Sequence, residues 1–221
     1  MKYAFGKNPY LLQGPNQFWS TGVTAPIKNE KKISFHKLHK FLKKNASIAS
    51  VGSCFASEVG NYLVDSEYNF VTHDKLRHSD SFGLGNVYSS RHLRQWLEVA
   101  FGQYEFSNLT WQEHDGKYID LQTNLLEYFE SAEALLYNRN KIVDRIKRVI
   151  SDSDLLIITV GLTETWETPS GETLAMCPGT LKGAFESDKH KFRNLTYNEV
   201  YDDLKNIEHL IRSFSDCTEL L

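Results

Sequence analysis

Cysteine is scarce in this 221-residue chain, which carries only Cys54, Cys177 and Cys217. No two of them form a CxxC pair, and an odd count does not make a disulfide framework, so the sequence reads as one from a reducing compartment. Long apolar runs are missing as well: nothing approaches the roughly 20 residues that span a bilayer. The opening residues, Met1-Lys2-Tyr3-Ala4-Phe5-Gly6-Lys7-Asn8-Pro9-Tyr10, lack the hydrophobic stretch of a secretion signal. A cytoplasmic location with no membrane partner is therefore expected. Charge of one sign is lacking too, since a formal net charge of −3 gives no electrostatic case for nucleic acid. No internal repeat and no low-complexity linker divides the chain. What is present is ordinary: 41% hydrophobic and 24% charged residues, the balance of a globular domain large enough to close its own core.

Residues 1–35 hold Pro9, Pro15 and Pro26 among scattered aromatics (Tyr3, Phe5, Tyr10, Phe18, Trp19), the pattern of an irregular arm. Residues 36–221 read as a single α/β domain. Within it, 37–44 is a basic stretch, and the i, i+3 pair His36 and His39 on it has no third ligand in view. Ala46-Ser47-Ile48-Ala49-Ser50-Val51 is a short buried strand. Leu93, Trp96, Leu97, Ala100 and Phe101 recur at helical spacing behind a cap at Ser89 or Ser90. The pair Asp115-Gly116 inside 111–121 predicts a small hairpin. Leu135, Leu136, Ile142, Val143, Ile146, Val149 and Ile150 mark the inner side of a long helix over 130–150. The continuous apolar run 154–160 then predicts a strand covered on both faces. Thr196 and Glu199 form a capping box that opens a helix reaching about Ser213. Thr218-Glu219-Leu220-Leu221 reads as the start of one more strand, and a chain stopping there is expected to be a fragment of a longer protein. Strands alternating with helices in this order predict a three-layer, doubly wound α/β fold with a mainly parallel sheet.

The sharpest chemical signal is Gly52-Ser53-Cys54-Phe55-Ala56. It follows the first predicted strand, and Phe55, Val59, Tyr62 and Leu63 after it are spaced as a helix. A strand, a tight turn and a helix start is how α/β enzymes present a nucleophile, with backbone N–H groups and the positive helix end favouring a thiolate. Packing alone also explains a small residue in such a turn. A second loop, Gly161-Leu162-Thr163-Glu164-Thr165-Trp166, follows the strong strand and falls on the same rim of the sheet. Water-facing Glu164 and a packed Trp166 are the plain alternative there. The third is Phe82-Gly83-Leu84-Gly85-Asn86-Val87-Tyr88, whose glycines suit backbone N–H groups aimed at an oxyanion. Without a Lys-Ser or Lys-Thr ending it is not a phosphate loop.

The turn Val51-Gly52-Ser53-Cys54-Phe55-Ala56 resembles the signature of the GSCFA domain family, which is grouped with the SGNH (GDSL-like) hydrolases. Asn8-Pro9-Tyr10, the 82–88 loop and Val160-Gly161-Leu162-Thr163-Glu164-Thr165-Trp166 carry the resemblance through most of the chain. It implies an SGNH/flavodoxin-like fold in which Gly52, Ser53 and Cys54 occupy the Gly-Asp-Ser block. Cys54 then stands at the nucleophile, with Ser53 as the alternative. Gly83 or Gly85 takes the place of the oxyanion glycine, and Thr163 that of the Asn donor, beside the Cys54 N–H. Gly52, Asn86, Tyr88, Gly161, Glu164 and Trp166 form the rim. The Asp-x-x-His block that supplies the family's base has no match, because the pairs Asp74/His78 and Asp188/His190 have the wrong spacing or place; the base is expected beyond residue 221. His73 and His78 are the substitutes if the chain is complete, and His92, His114, His190 and His209 read as structural or surface residues.

These readings predict an esterase or O-acyltransferase using a covalent acyl-enzyme on a small-molecule or glycan ester, with no cofactor and no metal. The alternative is a non-catalytic glycan- or protein-binding module that kept the fold. A redox-sensing thiol, with Cys177 as resolving partner, is a third reading.

Overall fold

The computed structural model describes residues 14–15, 18, 20–28, 43, 45–65, 68–72, 80–215 and 219–220. Asn8-Pro9-Tyr10, His36, His39, His73, Asp74, His78 and Cys217, all weighed in the sequence, lie outside the described residues. The chain divides into two compact units, Met1–Phe41 and Leu42–Leu221, where the sequence placed the end of an arm at residue 35. In the first unit the Pro15 carbonyl accepts from the Phe18 N–H and the Thr21 hydroxyl, and a π-type turn, Ser20–Thr24, leads into the short helix α1, Ala25–Lys28.

The second unit is built from β1 (Ser47–Gly52), α2 (Cys54–Val64), β2 (Asn69–Phe70), α3 (Ser90–Ala100), β3 (Trp111–His114), β4 (Lys117–Asp120), α4 (Ala132–Asp152), β5 (Leu155–Thr159), β6 (Glu164–Glu167), β7 (Thr173–Leu174), β8 (Lys191–Asn194), α5 (Tyr197–Phe214) and β9 (Glu219–Leu220). Its main sheet is parallel, in the order β2-β1-β5-β9. The protein is therefore a mixed α/β chain around a parallel sheet. Side chains one residue apart on β1 enter different apolar clusters, because the strand period is two. Ala49, Val51 and Leu156 join Trp96, Leu97, Ile146, Ile150 and Ile211 in the larger cluster. Ile48 and Leu155 join Leu63, with Val59 and Phe70 against them, in the smaller one. Both sides of the central strands are covered, which is why 154–160 needs no polar alternation.

The edge of β1 is completed beyond β2 by irregular backbone. Val71, Ser81 and Val87 donate their N–H groups to the carbonyls of Ile48, Ser50 and Gly52 at 2.8, 2.9 and 2.7 Å. This satisfies the buried backbone without a regular strand, and it draws the 82–88 loop to the carboxyl end of the sheet. α3 and α5 begin at the caps that the sequence predicts, and α4 begins at Ala132 where the sequence places its start at residue 130. Ser53, Ser89 and Ser131 cap α2, α3 and α4, and Thr196 with Glu199 forms the full capping box of α5. Buried Asp203 accepts from Ser90 Oγ and Arg91 Nε, each at 3.2 Å, and so fixes α5 to α3. Arg139 on α4 holds the β3–β4 hairpin through Asp120, at 3.0 and 2.7 Å.

One segment departs from expectation. The sequence predicts a loop over 161–166, yet its second half belongs to β6, the centre of an antiparallel sheet, β7-β6-β8. Thr165 and Glu167 point inward, while Glu164 is exposed and Trp166 half-buried. The partner β8 pairs Glu164 with Asn194 and Glu167 with Lys191, and no local turn signal links segments so far apart.

Candidate active site

Gly52 ends β1 with φ of 141° and lies opposite Thr159, the last residue of β5. A Cβ there would stand 2.0 Å from the Thr159 carbonyl oxygen, so glycine alone allows the strands to stay this close. The next residue, Ser53, is tied down on every polar side. Its N–H lies 3.3 Å from the Thr159 carbonyl and 3.0 Å from Thr159 Oγ1. Its own Oγ is 3.2 Å from Thr159 Oγ1 and accepts from the Phe55 N–H at 3.4 Å as the helix cap. Cys54 is the first residue of α2, and its free thiol is exposed. Among the described residues neither its thiol nor its N–H makes a hydrogen bond, and the N–H belongs to the unsatisfied, positive end of the helix.

The two other loops meet this turn. The Tyr88 carbonyl accepts from the N–H groups of Gly161 and Leu162, both at 3.0 Å, while the Val87 N–H binds the Gly52 carbonyl. A Cβ on Gly161 would come within 3.9 Å of Ser53 Cβ. Gly52, Ser53, Cys54, Tyr88 and Gly161 thus converge at the carboxyl ends of β1 and β5. Thr159, which locks Ser53 in place, was missed by the sequence reading; the signal was a lone hydroxyl ending an apolar strand.

The assigned oxyanion donors face elsewhere. Asp80, almost fully buried, accepts on Oδ1 from the N–H groups of Phe82, Gly83 and Leu84 at 2.9, 2.7 and 3.2 Å, and on Oδ2 from Gly85 at 2.8 Å. The expectation of a free oxyanion N–H at Gly83 or Gly85 is therefore not met, because one carboxylate organises the whole loop. Burial pushes the Asp80 carboxyl up, against the pull of these four N–H groups toward the charged form. Thr163 is exposed, and its hydroxyl donates to Asn194 Oδ1 at 2.6 Å. Asn86 donates to the Tyr88 hydroxyl at 3.1 Å. Of the assigned donors, the Cys54 N–H is left. Asp80 had a readable signal, since Asp before a glycine-rich turn commonly binds the backbone N–H groups that follow it. Asp80→Ala strands those N–H groups in the core and is expected to cost about 3–5 kcal/mol. A urea titration checks this, and a loss under about 1 kcal/mol contradicts it.

Beside the turn is a cavity of about 160 Å³ lined by Tyr88, His92, Leu162, Glu164, Trp166 and Cys177 among others. Trp166 is braced edge-on by Phe185 and Phe192, with ring centroids 5.5 Å away in both cases. Cys177 is half-buried, and burial pushes its thiol up. His92, read as structural or surface, is enclosed at 1% exposure, and burial lowers its pKa from 6.5 to about 4. The unfolded ring gains a proton below pH 6.5 while the folded ring stays neutral to about 4. Stability should therefore fall with pH through this window, by about 1.4 kcal/mol per unit and about 2 kcal/mol at pH 5. Urea midpoints at pH 7 and 5 should separate less in His92→Gln than in the parent chain; equal separation contradicts the assignment. Among the other described histidines, His190 is buried with Nδ1 accepting from the Glu186 N–H at 3.0 Å, and His114 and His209 are exposed.

Comparison with curated proteins and with solved structures gives no match. Comparison with protein-family models does: the GSCFA family model matches residues 47–221, a span that begins with β1 and includes the Cys54 turn, the Asp80-organised loop and the rim at Gly161. The chain belongs to the GSCFA family.

Proposed function

We propose that this protein is an SGNH-like esterase or O-acyltransferase working through a thioester on Cys54, with an O-acyl group of a glycan as the favoured substrate class. The observation that carries the reading is the exposed Cys54 thiol at the amino end of α2, against Ser53, whose hydroxyl is committed to the helix cap and to Thr159. Cys54 Sγ attacks the ester carbonyl carbon, and the carbonyl electrons move onto oxygen, which the Cys54 N–H and the helix end stabilise. Collapse of this intermediate forms the thioester and expels the alcohol oxygen, which takes up a proton. Water, or the hydroxyl of an acceptor, then attacks the thioester and releases the thiol. Among the described residues no imidazole is hydrogen-bonded to Cys54, and the base is assigned outside them. The apolar clusters on either side of the parallel sheet support the doubly wound, three-layer reading. Free thiols at Cys54 and Cys177 fit a reducing, cytoplasmic setting.

A second reading, a binding module that kept the fold, is favoured by the engagement of Gly83, Gly85 and Thr163 away from the turn. Hydrolysis of a generic aryl acetate, measured beside Cys54→Ala and Ser53→Ala, separates the two. Activity lost in Cys54→Ala and retained in Ser53→Ala supports the thioester enzyme, and activity equal to buffer alone in the parent chain supports the module.

A further inference from the structure

The β3–β4 hairpin leaves one strand edge without a partner. β3 has a single sheet neighbour, β4, and pairs Trp111 with Asp120, Gln112 with Ile119, Glu113 with Tyr118 and His114 with Lys117. In an antiparallel ladder alternate residues exchange bonds with the partner strand, and those between them turn their backbone groups to the opposite edge. The Leu121 N–H donates to the Thr110 carbonyl at 3.0 Å, so the next bonded pairs are Gln112 with Ile119 and His114 with Lys117. Tyr118 agrees, because it exchanges both its backbone bonds with Phe129 on the far side of β4, at 2.8 and 2.9 Å. The Trp111 carbonyl and the Glu113 N–H and carbonyl therefore face away from β4. Among the described residues these three groups have no hydrogen-bond partner.

Space lies beside this strand. All four residues of β3 line a cavity of about 460 Å³, to which β4 contributes Ile119 alone, and Gly183, Ala184, Glu186 and His190 belong to its wall. Gln112 holds that wall in place, donating to the Ala184 carbonyl at 2.8 Å and accepting from the Ala184 N–H at 2.7 Å. Trp111 and Glu113 share one face of the strand. The Trp111 ring rests against Tyr118 at a centroid distance of 5.2 Å. Glu113 is exposed, and among the described residues its carboxylate has no ion-pair partner. Antiparallel pairing of two copies through Trp111 and Glu113 sets each Glu113 opposite its own copy or opposite Trp111, so neither carboxylate gains a cation. A separate segment carrying a basic residue meets the charge, since opposite charges on facing strand positions attract.

We propose that the open edge of β3 docks an extended segment of a protein partner as a third, antiparallel strand. The segment reads basic, any residue, apolar, with Lys or Arg opposite Glu113 and the apolar residue opposite Trp111. Backbone bonds hold such a strand and alternate side chains select it. The proposal is independent of the Cys54 chemistry.

The test titrates the 15N-labelled chain with acetyl-Thr-Lys-Ala-Phe-Thr-amide at neutral pH. The Glu113 backbone amide is expected to shift saturably, and at about ten times the Kd its hydrogen exchange should slow by about tenfold. The Gln112 and His114 amides, already bonded to β4, should keep their exchange rates. Methylating the peptide nitrogens of Lys and Phe, which face β3, should abolish binding, whereas methylating that of Ala should spare it. Exchanging the peptide Lys for Glu should weaken binding by about fivefold, and Glu113→Lys, a change at an exposed position, should reverse that order. A Glu113 amide unmoved by millimolar peptide overturns the proposal. Equal affinity of the two kinds of methylated peptide, or of the Lys and Glu peptides, overturns it as well. Shifts at Glu113 that follow protein concentration without peptide would assign the edge to a second copy and overturn the docked segment.

Discussion

Gly52→Ala is expected to lower stability by about 3–5 kcal/mol, a large share of the 5–15 kcal/mol that holds a typical domain. Two costs combine. The backbone at φ 141° is outside the range that L side chains adopt readily. The new methyl would also meet Thr159 O at 2.0 Å, Thr159 Oγ1 at 2.4 Å and Thr159 C at 2.8 Å, two of the three being backbone atoms that have no rotamer to escape into. Relief requires β1 and β5 to part at their carboxyl ends, where Ser53 is bonded to Thr159. The site is therefore expected to fail together with the fold, with Cys54 losing its fixed place at the helix start. Urea unfolding of the variant, with the alkylation rate of Cys54 followed in parallel, checks both halves. A midpoint within experimental error of the parent would show that the strands do not need this close approach.

Cys54→Ala is expected to lower ester turnover by about a thousandfold or more, as loss of a nucleophile does in acyl-transfer enzymes. Stability should hardly change, by at most about 0.5 kcal/mol, because the side chain is exposed and makes no contact that the helix depends on. This contrast distinguishes a lost nucleophile from a damaged fold. Ser53→Ala should behave in the opposite way. It removes the cap of α2 and one hydroxyl contact to Thr159, costing about 1 kcal/mol, while the thiol chemistry persists. Full turnover in Cys54→Ala would move the chemistry away from the thiol.

The parts of the molecule that were legible from sequence are those whose cause is local. The helix periodicities, the Ser and Thr caps and the Thr196–Glu199 box each act within a few residues, and α3, α4 and α5 follow them closely. The hairpin was legible because Asp115 and Gly116 accept positive φ, here 50° and 71°, as its turn requires. The strand-turn-helix unit around Cys54 belongs to the same class, and so does Gly161, which must follow β5 to reach the same rim. Other features depend on partners distant in the chain. The strand character of β6 comes from β8 and β7, and no residue within 164–167 announces that pairing. The direction of the Gly83 and Gly85 N–H groups is decided by Asp80, so the glycines revealed a tight loop and not what the loop binds. His92 looked ordinary on paper because its environment is assembled by Gln122 and Trp96.

The most direct test of the account is to mix the protein with an aryl acetate, quench in acid and locate the bound acyl group by peptide mass spectrometry with residue-level fragmentation. The expected result is an acetyl group on Cys54, released by neutral hydroxylamine as a thioester is, and absent from Cys54→Ala. An acetyl group on Ser53, or ester turnover with Cys54 unmodified throughout, would contradict the assignment of Cys54 as the nucleophile.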